Sequence, residues 1–197
     1  MDSVFEKLET AQGGEKKTPS WWRNAAKVAM RSTISEATKE EIIQRERSNT
    51  DDGNGVRYTP RKGTLILFEY DAKTTKEKLK YYDRMPLCVV LDVTVDEMVA
   101  ANLHYVSPKK RLKTIEQLSK GKIDVPRRVI HKYKRSDVQN RLYIEIAESD
   151  WDSAMYLPLE QFVSAVGAIE VPVTAKKVWL KYDLLTKYRF RAKRKVQ

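Results

Sequence analysis

The sequence predicts an α+β fold, with a small antiparallel β-sheet or partly closed barrel over residues 56–146 between an N-terminal helical arm and flanking helices. Two observations lead there. β-Branched and aromatic residues concentrate in the middle, in Thr64–Tyr70 (TLILFEY) and Leu87–Val95 (LCVVLDVTV). Apolar residues at helical spacing fall on either side of that stretch and at the far end of the chain. The length of 197 residues, with 41% hydrophobic and 33% charged, fits one domain with arms and excludes a large multidomain enzyme. The division expected is an arm and linker over 1–55, a core domain over 56–188 and a basic tail over 189–197.

Taken in order, Val4, Phe5 and Leu8 suit one side of a short amphipathic helix that Gly13 and Gly14 end. Residues 15–20 read as a linker, after which Ser20 can cap a helix running from Trp21 to Met30. A second helix fits Ser35–Arg47. Neither helix has a broad apolar face, which directs Trp21 and Trp22, with Phe5 and Leu8, toward a protein partner or the domain edge. Ser48–Gly55 (SNTDDGNG) is a loop by composition. The two strands above are joined by a polar excursion that closes at Pro86 and reads as a long loop. A third strand fits Asn102–Val106, and a basic helix begins at Pro108, with Leu112, Ile115 and Leu118 at helical spacing. Lys109, Lys110, Arg111 and Lys113 in its first turns oppose the helix dipole and cost a few tenths of a kcal/mol unless an anion compensates. Arg127–Tyr133 leads to a strand at Leu142–Ile146. A helix start or turn follows at Ser149–Trp151, then a short helix with Phe162 and Val163, and finally Lys176–Tyr188 with Val178, Leu180 and Leu184 facing inward.

The net charge of +11 is unevenly distributed. Residues 1–60 carry ten basic and ten acidic side chains, and residues 61–106 carry seven of each. The remainder divides into 107–143 at +9, 144–175 at −6 and 176–197 at +8. Two basic blocks flanking an acidic one can attract phosphates or an acidic protein surface, and can equally be solvated surface. No apolar run approaches the roughly 20 residues of a membrane span. The start, MDSVFEKLET, lacks the basic and then apolar pattern of a secretory signal, and the lone Cys88 cannot form an internal disulfide. Cytoplasmic synthesis is the expectation.

Catalytic groupings are scarce. His104, His131 and one cysteine cannot build a zinc site, and no phosphate-cradling glycine motif occurs, so no metal, cofactor or enzymatic activity is expected. The nearest approach to a nuclease site is Asp71-Ala72-Lys73 after a strand, where a carboxylate and lysine could serve a Mg²⁺ ion, but these residues equally suit a tight turn. His104 reads as a hydrogen-bonded histidine at a strand end. His131, amid Arg127, Arg128, Lys132, Tyr133, Lys134 and Arg135, belongs to a cluster of cations and rings of the kind that meets nucleic acid through backbone and stacking contacts.

Four stretches together resemble a known family: Pro19–Asn24 (PSWWRN), Gly63–Pro86 with its YDxKT…YYDRxP pattern, Asn102–Arg111 (NLHYVSPKKR) and Trp151–Phe162 (WDSAMYLPLEQF). In identity and order they are similar to the head-completion proteins of T-even-type contractile-tailed phages described as DNA end protectors. Lys80 departs from the proline that precedes the YYD element in that family, and the acidic block suits a protein partner. The resemblance implies a virion protein that shields the ends of the packaged genome and helps complete the head for tail joining. It carries over no catalytic residue.

The first expectation is therefore a virion protein, synthesised in the host cytoplasm, that binds double-stranded DNA ends without sequence preference. Its candidate contacts are Lys109, Lys110, Arg111, Lys113, Arg127, Arg128, Lys132, Lys134, Arg135 and, in the tail, Arg189, Arg191, Lys193, Arg194 and Lys195. The second is a purely structural subunit of the neck, tail or baseplate, binding other virion proteins in a symmetric assembly through its arms. A membrane span is expected in neither.

Overall fold

A computed structural model describes residues 3–45, 56–57, 59–73, 79–119, 127–166 and 169–179, with the backbone alone over 37–45, 56–57, 117–119 and 165–166. It shows an α+β fold with two antiparallel sheets, neither of them closed. The larger has strands β1 (Val56–Arg57), β2 (Leu65–Leu67), β4 (Leu87–Val93), β5 (Glu97–Asn102), β6 (Ile130–Lys134) and β7 (Tyr143–Glu145) in the order β1-β7-β2-β4-β5-β6. The smaller is β3 (Tyr82–Asp83), β8 (Phe162–Val166) and β9 (Ile169–Val173) in that order. Among the described residues β1 and β6 end the larger sheet without pairing to each other, so of the two expected forms, sheet or partly closed barrel, the structure has the open sheet.

Helix α1 (Val4–Gln12) forms as its sequence predicts. Ser3 and Glu6 make reciprocal capping bonds, and Gly13 ends the helix at φ 61°, a left-handed conformation that glycine adopts without a Cβ clash. The two helices expected next are a single one, α2 (Pro19–Arg45), since nothing between Met30 and Ser35 breaks a helix. Its cap is Thr18 rather than Ser20: the hydroxyl of Thr18 accepts from Trp21 N at 3.2 Å. Pro19 then occupies the first helical position, where its missing N–H leaves no bond unmade.

The side-chain period of two splits the large sheet into two faces. On one face Leu65, Leu67, Leu87, Val89, Ala101 and Ile144 pack with Val4, Phe5 and Leu8 of α1 and with Trp22, Ala26, Ala29 and Met30 of α2. On the other, Ile66, Cys88, Val90, Met98, Ala100, Tyr133 and Tyr143 gather around Phe68 and Tyr70. Phe68 and Tyr133 meet edge to face with centroids 5.3 Å apart, and Tyr70 and Tyr133 with centroids 5.0 Å apart.

These contacts correct the expected arm. Phe5, Leu8 and Trp22 are fully or nearly buried within this chain, and Trp21 is half-buried, packed edge to face on Trp22 at 5.1 Å. Narrow apolar faces suffice because α1 and α2 pack together on one face of the larger sheet. Truncating Phe5 or Trp22 to alanine would cost about 3–5 kcal/mol, the usual range for a large buried ring.

Three further elements differ from their expected form. The strand placed at Asn102–Val106 ends at Asn102, and Leu103–Tyr105 is a 3₁₀ turn capped by the Asn102 side chain. The polar excursion before Pro86 contains β3, and Phe162 and Val163 lie in β8 rather than a helix. Helices α3 (Pro108–Ser119) and α4 (Trp151–Tyr156) stand where expected. Val178 is buried, whereas Leu180 and Leu184 lie outside the described residues.

Candidate nucleic-acid interface

Helix α3 begins directly after the 3₁₀ turn that follows β5, and its first two turns sort their cations by direction. Lys109, Lys110 and Lys113 are exposed, while Arg111 points inward and is 0% exposed. Arg111 therefore does not belong to a DNA-binding surface. Its Nε donates to the carbonyls of Leu103 and Val106, both at 3.1 Å, its Nη1 donates to Met155 O at 2.7 Å, and its Nη2 pairs with the buried Glu160. Burial pulls its guanidinium down to about 10, which still leaves it charged at neutral pH. The planar fork suits this role, reaching three carbonyls and a carboxylate in fixed directions.

The second set of candidate cations surrounds edge strand β6. Arg127 and Arg128 are exposed in the turn leading into it, and Lys132, on its outer surface, stands 3.7 Å from Glu97. Lys134 and Arg135 are half-buried. Arg135 is committed to the turn beneath it, where Nη1 donates to Val95 O and Nη2 to Thr59 Oγ1, both at 3.0 Å. His131 stacks on Tyr105 with ring centroids 4.3 Å apart, and burial lowers its pKa to about 4. The ring is therefore neutral at pH 7 and adds no cation. Arg189, Arg191, Lys193, Arg194 and Lys195 lie outside the described residues.

Asp83 occupies the centre of the molecule, and sequence reasoning missed it. Its Oδ1 accepts from Met85 N and Gln161 N, both at 3.1 Å, and its Oδ2 accepts from Asn102 Nδ2 at 3.3 Å and His104 Nδ1 at 2.7 Å. Burial pushes this carboxyl up, but His104 and the backbone amides of Met85 and Gln161 outweigh that and hold it below the usual range. Burial likewise lowers His104 against the pull of Asp83, so the ring is neutral and its Nδ1 carries the shared proton. Asn102 extends the network to Tyr133 at 3.1 Å, and Cys88 Sγ lies 3.7 Å from the same hydroxyl. His104 is thus the hydrogen-bonded histidine at a strand end that its sequence context suggests.

Three of the four recognisable stretches meet at this node. YYDRMP supplies Asp83, NLHYVSPKKR supplies Asn102, His104 and Arg111, and WDSAMYLPLEQF supplies Met155, Glu160 and the amide of Gln161. The one hint in the sequence was that Asp83 and His104 both fall within the stretches that carry the family resemblance.

Asp71 and Lys73 form a tight turn, with Lys73 N donating to Asp71 O at 2.7 Å. Among the described residues no group of three or more His, Cys, Asp or Glu side chains could hold a metal ion. No helix among them is long and apolar enough to cross a membrane.

The fold and its exposed cations define a small α+β protein with a basic surface on one helix and one sheet edge. The chain belongs to a phage family: the family model described as Phage T4 terminal DNA protecting protein matches residues 24–127, more than half its length. The matched span holds Asp83, Asn102, His104, Arg111 and the exposed cations of α3. No curated protein and no solved structure matches the chain.

Proposed function

We propose that the protein occludes the ends of packaged double-stranded DNA in the phage virion, without sequence preference and without catalysis, and thereby helps complete the head. The observation carrying this reading is the sorting of cations on α3 and β6. Lys109, Lys110, Lys113, Arg127, Arg128 and Lys132 lie outward, whereas Arg111 and Arg135 are committed to the fold. Cations spread over a helix and an edge strand suit phosphate contacts, which fix position without reading bases. The basic tail, at +8 over 176–197, would add to the same electrostatic term. Of the acidic segment 144–175, Glu148, Asp150 and Asp152 are the candidates for contact with neighbouring virion subunits, since Glu145, Glu160 and Glu170 pair with arginines of the fold.

Exonuclease protection of linear duplex DNA, at low and physiological salt and with closed circular DNA as competitor, tests the reading. Protection that survives the circular competitor is the expected result. Absence of protection at both salts overturns it in favour of a structural subunit of the neck, tail or baseplate.

A further inference from the structure

Helix α2 bears cations that the balanced charge of residues 1–60 conceals. Arg23, Lys27 and Arg31 recur every four residues, so they share one flank of the helix beside the buried stripe of Trp22, Ala26, Ala29, Met30 and Thr33. Elsewhere on the helix, Lys7 of α1 reaches Thr33 at 3.2 Å and Glu36 at 2.7 Å. The cationic flank instead meets the segment joining the two sheets. Arg23 Nη1 donates to Glu160 O at 3.3 Å, and the next carbonyl, Gln161 O, accepts Arg84 N at 2.8 Å. Arg84 thereby joins the row. Its guanidinium is 3.0 Å from Glu170, with the side chain still 39% exposed.

Like charges one helical turn apart repel. At Lys27 burial is the main cause that lowers the pKa, Glu69 opposes it, and Arg84, Arg31 and Arg23 add to the lowering. Among the described residues neither Lys27 nor Arg31 has an ion pair or a side-chain hydrogen bond. Among the described residues these four cations lie near three carboxylates, Glu69, Glu170 and, beside Glu170 at the Tyr82 hydroxyl, Asp71, which leaves an excess of positive charge on this flank. The dimensions say what would compensate it. From Arg23 to Arg31 the helix rises roughly 12 Å, too far for one phosphate but, if aligned with the duplex axis, the axial span of about three to four phosphates of one strand at ~3.4 Å each.

We propose that Arg23, Lys27, Arg31 and Arg84 form a second binding site for the phosphate backbone of duplex DNA, on different elements from the α3 and β6 cations. This site rests on the DNA-end reading and extends it to a surface that the charge blocks did not indicate. It makes the N-terminal segment part of the DNA contact as well as part of the core.

The test titrates salt against the affinity of the full-length protein for a short blunt duplex, comparing wild type with Lys27→Gln/Arg31→Gln. Both side chains reach solvent, and circular dichroism checks the fold. The double variant is expected to bind more weakly and to lose about 0.9 from the slope of log affinity against log salt for each phosphate contact removed. A second measurement needs no variant: duplex should slow acylation of Lys27 by an amine-reactive ester. Wild-type binding with an unchanged slope in the double variant and unprotected Lys27 overturns this site and leaves the α3 surface standing. Stronger protection of Lys27 by polyglutamate than by duplex overturns the nucleic-acid assignment. Failure of wild type to bind duplex at any salt overturns the functional reading and this site with it.

Discussion

Arg111 and its helical neighbours Lys109, Lys110 and Lys113 are four cations within five residues, yet they belong to different parts of the molecule. Arg111 reaches inward to the node that also contains Asp83, His104 and Asn102, a region where every charge has specific partners. The three lysines face outward. The difference teaches where recognisability comes from: the residues that make the chain resemble its family hold three segments together, while the cations suited to DNA are exposed and replaceable in kind. A buried ion pair needs one geometry, whereas phosphate attraction needs only charge in the right region.

The comparison is sharpest when both kinds of cation are removed. Arg111→Ala would strand Glu160, which is only 7% exposed, without its partner, and breaking such a buried pair costs about 3–5 kcal/mol. Urea denaturation should show that loss, with no comparable change for Lys110→Ala. Asp83→Asn comes next. Hydrogen bonds to a charged acceptor are each worth roughly 1.5–3 kcal/mol, so a loss of about 2 kcal/mol or more is expected in the same assay. A variant as stable as wild type would show that the node is not what holds the segments together.

Acid should attack the node before the surface. Asp83, His104 and His131 all have folded-state pKa values below their ordinary ones, so each contributes stability that is complete above its unfolded pKa and is lost as pH falls through its folded value. For His131 that window runs from roughly 6.5, the ordinary histidine value, down to about 4, and His104 adds to the loss below the same upper limit. The urea midpoint is expected to be flat from pH 8 to 7 and to decline between pH 6.5 and 4. His131→Phe, which keeps a ring against Tyr105, should make that decline shallower.

The smallest effect on stability belongs to the surface. Lys109→Ala, Lys110→Ala and Lys113→Ala should each stay within about 0.5 kcal/mol of wild type in urea, yet each should lower the salt slope of duplex binding by about 0.9 if it meets a phosphate. A stability loss as large as that of Arg111→Ala would erase the distinction between inward and outward cations.

Much of the fold was legible because local patterns were strong. Val4, Phe5 and Leu8 on one side with Gly13 at the end mark α1, and the runs around Leu65–Leu67 and Leu87–Val93 carry β-branched residues with their ends at turns. Phe162 and Val163 were misread because a short apolar run has no period long enough to separate strand from helix. Trp22 and Phe5 were left between a partner and the domain edge because a narrow apolar stripe says nothing about how large a surface lies opposite it. Of the candidate site, the basic character of α3 was plain, but Lys113 and Arg111 differ by only two positions and identical charge, and helix phase relative to the core separates them. Arg23, Lys27 and Arg31 were hidden because counting charge along the chain sets them against acids of the same segment without regard to position.

By itself the sequence determined the α+β class, the family resemblance, the excess of positive charge and the confinement of β-rich segments to the middle of the chain, since all of these follow from local composition and spacing. Only the tertiary structure decided which cations are structural and which are exposed, that Asp83 accepts hydrogen bonds from Met85 beside it and from two segments distant in sequence, and that α1 and α2 close the core. Those outcomes depend on desolvation and on long-range partners, and neither is a property of any short window of residues.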